Sequence, residues 1–441
     1  MRRPFGSSLP RLRTAVPGPR SVALAARLTQ VESRNLAPPL DQPPIVWAEA
    51  RGANVRDVDG NVYVDLTAGF GVAATGHANR YVARAIARQA RRLAHGLGDV
   101  QPTASKLELL ERLAGLAPAD LGVGILASGG AEAVEAALKT ALLRTGRSGI
   151  IAFEDSYHGL SYGALAVTGR REFRAPFAVQ LMPDVHFGPF PDGAVGSAAA
   201  SLAAVGDRLG RGGIGAIIVE PILGRGGIIV PPDDFLPGLR QLASRHDAVL
   251  IFDEIYTGLG RTGRWFACER TATTPDILVI GKALAGGLPL SVALGTPAVM
   301  QAWPAWSGEA LHTSTFLGNP IACAAAIAQL REIGRRGLVE RTDLLGLLVG
   351  ARLEQWRLRF GDDTCAPRGV GLLRGLHLRG ARGADIARTA AAAMLRRGVI
   401  VLTEGPAGDV LAITPPLTIR RAQLHHALDL LETELATALR A

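Results

Sequence analysis

Four short runs of consecutive apolar residues constrain the fold of this chain most: Gly149-Ile-Ile-Ala-Phe153, Ala216-Ile-Ile-Val219, Ala248-Val-Leu-Ile-Phe252 and Ile277-Leu-Val-Ile280. A strand with one wet face alternates apolar and polar residues, whereas a strand covered on both faces reads as an unbroken apolar run. Helix-patterned stretches lie between these runs from about residue 76 to 320. That alternation implies an α/β fold, a mostly parallel sheet layered between helices.

The flanks have a different texture. Val55-Arg-Asp-Val58 and Val62-Tyr-Val-Asp-Leu66 enclose Asp59-Gly-Asn61, which reads as a hairpin. After Pro320 come an alanine-rich helix, a helical stretch from Leu338 to Phe360, glycine-rich strands around 369–379 and a closing helix from about 421 to 440. The expected organisation is an N-terminal arm and hairpin at 1–75 belonging to a smaller α+β domain, a large domain at 76–320, and the rest of the smaller domain at 321–441. A chain of 441 residues exceeds what one core usually supports, which agrees with two domains.

Composition removes several function classes. No run of eighteen apolar residues appears, so no membrane-spanning helix is expected. The net charge of +9 is spread through helix-patterned arginines such as Arg80 to Arg92, without aromatic interleaving, which argues against nucleic acid. Cys268, Cys323 and Cys365 are odd in number and widely spaced, which points to no metal site and to a reducing, cytoplasmic setting. The N-terminal arm has six arginines before its first acid, Glu32, and so faintly resembles a transit peptide. Prolines at 10, 17 and 19 interrupt any continuous amphipathic helix there, and an arm packed on the body is the expectation.

In an open parallel sheet, ligands bind beyond the carboxyl ends of the strands. The apolar runs here lead into Ser156-Tyr-His-Gly159, Glu220-Pro221, Asp253-Glu254 and Gly281-Lys282. Lys282 is one of only three lysines, with Lys106 and Lys139, in a chain that otherwise uses arginine. Lysine loses its proton readily enough to form a Schiff base and arginine does not, so retention at this place suggests a needed amine. Ser128, Gly129, Gly130 and Ala131 precede a strongly helical run and let backbone N–H groups approach an anion. Each feature has a plainer alternative by itself: a solvated lysine, a helix cap at Ser128 or Asp253, core packing for Tyr157, a turn at Ser314-Thr315. Gly258-Leu-Gly-Arg-Thr-Gly263 is a literal G-x-G-x-x-G, but five residues separate it from the strand. Its next acids, Glu269 and Asp276, are six and thirteen residues on, too near for a dinucleotide fingerprint.

Taken together, Asp253-Glu-Ile-Tyr-Thr-Gly-Leu-Gly-Arg-Thr-Gly263 and Lys282 in its Gly-Lys-x-Leu-x-Gly-Gly setting resemble the class III aminotransferases. These are pyridoxal-phosphate enzymes of fold type I, and the resemblance runs from about Trp47 to Leu417. It implies pyridoxal 5'-phosphate as cofactor, an amine donor, an oxo-acid or aldehyde acceptor, and a homodimer. It implies that Lys282 forms the Schiff base and shuttles a proton, and that Asp253 pairs with the pyridine nitrogen. Ser128, Gly129, Gly130 and Ala131 would lie at the phosphate, Tyr157 and Ile255 on the two ring faces, and Glu220 nearby. Thr315 would reach the phosphate of the neighbouring subunit. The same fold also supports racemases, decarboxylases and ammonia lyases, which share the first step. A non-catalytic cofactor-binding regulator would need a DNA-binding module, for which no segment is spare.

Departures from the family pattern bear on the substrate. Leu160 stands where many relatives have an arginine after His-Gly, and Ala412 stands where ornithine and 4-aminobutyrate enzymes have a carboxylate-binding arginine. Leu223 and Arg225 replace the glutamine and glutamate of the family's Gln-Gly-Glu, and Tyr256 replaces a glutamine. Arg225 is therefore a candidate for a substrate carboxylate, and Phe70 for an apolar pocket wall. An ω-amine, a diamine or an unusual biosynthetic amine is the expected donor.

Overall fold

The computed structural model describes residues 4–37 and 42–440. Three strands open the chain: β1 (Trp47–Arg51), β2 (Asn54–Asp57) and β3 (Val62–Asp65). Seven follow: β4 (Val123–Ala127), β5 (Gly149–Phe153), β6 (Val185–Gly188), β7 (Ile214–Val219), β8 (Val249–Asp253), β9 (Ile277–Ile280) and β10 (Ser291–Gly295). Five close it: β11 (Cys365–Val370), β12 (Leu373–Leu378), β13 (Val399–Ile400), β14 (Leu402–Glu404) and β15 (Val410–Ile413).

The central sheet has the order β4-β10-β9-β8-β7-β5-β6. Strands β5 to β9 pair parallel, and β10 is inserted antiparallel between β4 and β9. The four apolar runs are thus neighbouring strands of one sheet, and their alternate residues feed two separate cores. Ile151, Ile217, Leu250 and Leu278 enter one, while Ile150, Ala216, Ile251 and Val279 enter the other. The second face is covered by the helix Gly130–Thr145, whose buried Ala133, Ala136, Ala137 and Ala141 let it approach closely. Sequence did not show the reversal of β10: a short strand covered on both faces has the same composition in either direction.

The remaining strands form two four-stranded sheets, β1-β2-β3-β13 and β11-β12-β15-β14. In the first, β3 pairs parallel with β13, so the N-terminal hairpin is joined to the C-terminal third (Val64 opposite Val399). The arm is pinned on that hairpin. Asn61 Oδ1 accepts from the N–H groups of Arg13 and Thr14, and Asp59 accepts from those of Arg20 and Ser21. A ten-residue helix, Pro19–Leu28, starts with proline in the first turn, where no intrahelical donor is lost.

The Gly258–Gly263 stretch winds into a tight turn, with φ of 56° at Leu259, 90° at Gly260 and 82° at Gly263. Arg261, 3% exposed, donates from Nη1 to the carbonyls of Leu372 at 3.0 Å and Pro415 at 2.7 Å. Burial holds its pKa down at about 10. The glycines therefore let a buried arginine tie the central sheet to the C-terminal sheet, and no dinucleotide surface results.

Candidate active site

Asp253 ends β8 and is 3% exposed. Its Oδ2 lies 2.7 Å from His158 Nδ1, and its Oδ1 accepts from the Ile255 N–H at 3.0 Å. An ionised carboxylate only accepts, so this contact places a proton on Nδ1. His158 is fixed in turn by its own N–H, which donates to Thr168 Oγ1 at 3.0 Å. Its Nε2 is buried and has no partner among the described residues. Sequence reasoning passed over His158, although it stands inside the Ser156–Gly159 stretch at a strand end.

Lys282 follows β9 by two residues and has a φ of 35°, in the left-handed region that costs a non-glycine residue about 1–2 kcal/mol. Its Nζ lies 3.9 Å from the centroid of the Tyr256 ring. Burial lowers the pKa of this amine from its ordinary value, Arg225 adds to the effect, and the carboxylates of Glu220, Asp253 and Glu404 oppose it. An ammonium stripped of water is destabilised, so the neutral amine with its free lone pair is populated at lower pH. Tyr256 is held between small residues. A Cβ on Gly224 would come within 2.4 Å of its ring, and one on Gly71 within 2.7 Å. Its hydroxyl reaches Thr414 Oγ1 at 3.4 Å, and burial pushes its pKa up to about 12.

Glu220 braces two loops. Its carboxylate accepts from the Tyr157 N–H at 2.8 Å and the Gly224 N–H at 3.0 Å, while burial raises its pKa. Its neighbour in motif, Glu254, turns away and accepts from Thr257 Oγ1, Ala267 N and Cys268 N. Of the Asp253-Glu254 pair, one carboxylate thus faces the site and the other holds a turn.

The helix Gly130–Thr145 begins against Ile255, two residues after Asp253, with Gly129 as its cap residue and no side-chain cap. The N–H groups of Gly130 and Ala131 therefore lack intrahelical partners and lie at the positive end of the helix dipole. Ser128 N–H is taken by Glu132 Oε2 at 2.9 Å, and Ser291 Oγ fixes the loop by donating to the Gly129 carbonyl at 2.7 Å. Ile255 wedges between this helix and the lysine: a Cβ on Gly130 would fall 2.8 Å from its Cδ1, and one on Gly281 3.3 Å from its Cγ1.

On the opposite side, the Arg225 guanidinium lies 4.3 Å from the Tyr157 ring centroid and 5.7 Å from that of Phe173. Its side chain donates no hydrogen bond among the described residues. Phe70, with a φ of 60°, is 62% exposed and precedes the glycine whose Cβ would lie 3.8 Å from Lys282 Cδ. Thr315 does not join these residues: it is exposed, in a loop where Phe316 meets the His95 ring at 5.5 Å. Among the described residues no cluster of His, Cys, Asp or Glu suits a metal ion.

These groups fit the cofactor expected from the sequence. An uncapped helix terminus suits a phosphate, a buried carboxylate backed by an imidazole suits a protonated ring nitrogen, and a proton-poor amine suits an aldehyde.

A family model described as Aminotransferase class-III matches residues 36–435. The acetylornithine aminotransferase of Methanothermobacter thermautotrophicus is 37% identical over 405 residues, covering 92% of this chain and 97% of that protein. The putrescine aminotransferase of Pectobacterium atrosepticum is 36% identical, covering 87% of this chain and 80% of that one. Among solved structures, a thermostable (S)-enantioselective omega-transaminase from Thermomicrobium roseum superposes with a TM-score of 0.86 at 28% identity, covering 98% of this chain and 99% of that one.

The depressed amine has a measurable consequence. Reductive methylation of the cofactor-free protein, followed by peptide mass spectrometry across a pH series, is expected to reach half its maximal rate at Lys282 well below the ordinary lysine value of about 10.4. Half-maximal reaction at or above that value would contradict the burial argument.

Proposed function

The chain belongs to the class III aminotransferases and is a pyridoxal-phosphate-dependent transaminase, and from that premise we propose which residues do the work and on what. Lys282 carries the cofactor and moves the proton at its Nζ, Asp253 pairs with the ring nitrogen, and His158 holds Asp253 in place. Ser128, Gly129, Gly130 and Ala131 receive the phosphate, Tyr157 and Ile255 bound the two ring faces, and Glu220 braces the loop that carries Tyr157. The observation that carries this reading is the convergence of a buried Lys282 amine, its pKa lowered by burial, and a His158-backed Asp253 near an uncapped helix N-terminus.

Bound pyridoxal 5'-phosphate supplies an electron sink that lets the carbon next to the substrate nitrogen lose a proton. Asp253 keeps the sink effective by holding a proton on the ring nitrogen. Opposite unit charges at ~4 Å with an effective dielectric near 20 are worth about 4 kcal/mol. His158 fixes the direction of that carboxylate, because its Nδ1 occupies one oxygen while the other accepts from the Ile255 N–H. Lys282 accepts the released proton because burial has already made its neutral form accessible.

The substrates we propose are an amine or amino-acid donor, ω-amines included, and an oxo-acid or aldehyde acceptor. Arg225 receives the acceptor's carboxylate: its guanidinium is oriented by Tyr157 and Phe173 and its N–H donors make no hydrogen bond among the described residues. Phe70 forms an apolar wall at the mouth. We further propose a cytoplasmic homodimer in which Thr315 reaches the partner's phosphate site. The exposure of Thr315, together with exposed Leu97, Val100, Trp306, Leu311 and Phe316, supports that arrangement. The division into a large unit at 76–320 and a smaller one from 1–75 and 321–441 is likewise proposed, supported by the pairing of β3 with β13.

Three measurements bear on these assignments. Lys282→Ala is expected to lose both the absorbance of enzyme-linked cofactor and turnover, while Lys106→Arg and Lys139→Arg keep both; retained turnover in Lys282→Ala would sink the central assignment. Arg225→Ala is expected to raise KM for 2-oxo acids by roughly tenfold or more with a smaller change in kcat, and an unchanged KM for every oxo acid would refute the role of Arg225. Light scattering is expected to give twice the 46.2 kDa chain mass; a monomer that is fully active would remove Thr315 from the site.

A further inference from the structure

Glu404 is the last residue of β14 and is 8% exposed, yet its carboxylate accepts no hydrogen bond and makes no ion pair within 4.0 Å among the described residues. The residue is largely covered, but neither oxygen is among the sealed side-chain atoms without a partner, so the carboxylate keeps contact with solvent and is open to a ligand. Largely buried charges are ordinarily paired, because an unpaired buried charge is costly. The backbone around Glu404 is tied to the loop that carries Arg225. Its strand is paired with β15, where Glu404 stands opposite Val410, and the next N–H, that of Gly405, donates to the Arg225 carbonyl at 3.0 Å. On the other side of that loop, Arg368 Nη1 donates to the Gly227 carbonyl at 3.0 Å.

The charged groups that act most strongly on Glu404 are Arg225 and Glu220 from the segment after β7, Lys282 from after β9, and Arg170. None of the cations makes an ion pair or hydrogen bond with it among the described residues, although Arg225 lowers its pKa from a distance. Arg225 is stacked over Tyr157, Arg170 Nε donates to Glu172 Oε1 at 2.6 Å, and Lys282 is the reacting amine over Tyr256. Burial pushes the Glu404 carboxyl up to about 7, with Arg225, Lys282 and Arg170 opposing. It is therefore an anion in mildly alkaline solution and retains a strong demand for a cation.

We propose that Glu404 is a specificity-determining residue that receives the distal ammonium of an α,ω-diamine donor while the donor's other nitrogen is presented to the cofactor that Lys282 would carry. The inference rests on the reading of Lys282 as the reacting amine and names the donor class for that same site. It also gives the two half-reactions separate anchors: Glu404 for the cationic end of the donor, Arg225 for the anionic end of the oxo acid. A single cleft thereby serves substrates of opposite distal charge without either anchor leaving its place.

The test compares diamines from 1,3-diaminopropane to 1,6-diaminohexane with monoamines of equal length, using the holoenzyme with a 2-oxo acid well above neutral pH. The wild type is expected to prefer at least one diamine over its matched monoamine in kcat/KM. Glu404→Gln is expected to reduce that ratio by at least about tenfold, chiefly through KM for the diamine, as for a site built around a polar substrate group. Glu404→Asp should keep part of the preference. Because the Gln variant removes a buried charge without a partner, its Tm is expected to equal or exceed that of the wild type. A wild type with no preference for any diamine, or an unchanged ratio in Glu404→Gln, overturns the inference while leaving the transaminase site intact. A lower Tm with an unchanged ratio would make Glu404 structural and also overturns it. If amino acids but no amine of either kind alter the cofactor absorbance of the wild type, the inference falls and the reading of Lys282 stands; if neither amines nor amino acids alter it, that reading falls and the inference with it.

Discussion

The contact on which the site depends is the 2.7 Å bond between His158 Nδ1 and Asp253 Oδ2, made where neither partner has access to much water. It joins the turn after β5 to the end of β8, two strands separated in the sheet by β7. Because both strands point the same way and are staggered by ladder hydrogen bonds, their carboxyl ends can meet at one height. Ile255, two residues on, then fills the gap to Gly130 and Gly281, and so sets the distance from the carboxylate to the helix terminus and to the lysine. A buried polar pair of this kind is costly to leave half-satisfied, which gives the arrangement its directionality.

Around that pair the charges are distributed in an unusual way. The pattern that the sequence comparison with ornithine and 4-aminobutyrate enzymes implies has a glutamate where Arg225 stands and an arginine where Ala412 stands. Leu402 on β14 is directly paired with Ala412 on β15, and Glu404 lies further along the same short strand. The cation has thus moved to the loop after β7 and an anion has been placed on the strand beside the lost arginine. The Gly405–Arg225 backbone bond fixes the two elements to each other, so the exchange keeps a cation and an anion on neighbouring segments.

Much of the architecture was legible in the chain. The four apolar runs announced strands covered on both faces, Asp59-Gly-Asn61 announced the hairpin, and Leu338 to Phe360 marked a helix that the structure reproduces end to end. The antiparallel entry of β10 and the parallel union of β3 with β13 were not legible, since pairing partners far apart in sequence leave no local periodicity. At the site, Asp253 and Lys282 announced themselves because strand ends and lysine scarcity are sequence-visible. Glu404 did not: an acid at the end of a three-residue strand looks like any solvated charge until burial is known.

The sequence by itself determined the chemistry available, because only certain side chains can supply an amine, a buried carboxylate and an uncapped helix start, and their positions at strand ends follow from local pattern. The tertiary structure decided how those groups behave. Burial lowered the lysine and raised Glu220 and Glu404, stacking oriented Arg225, and the 2.7 Å contact turned His158 into the support of Asp253. The physical reason is that identity is a local property of the chain, whereas desolvation and electrostatic coupling depend on which distant residues exclude water from a group and which charges remain beside it.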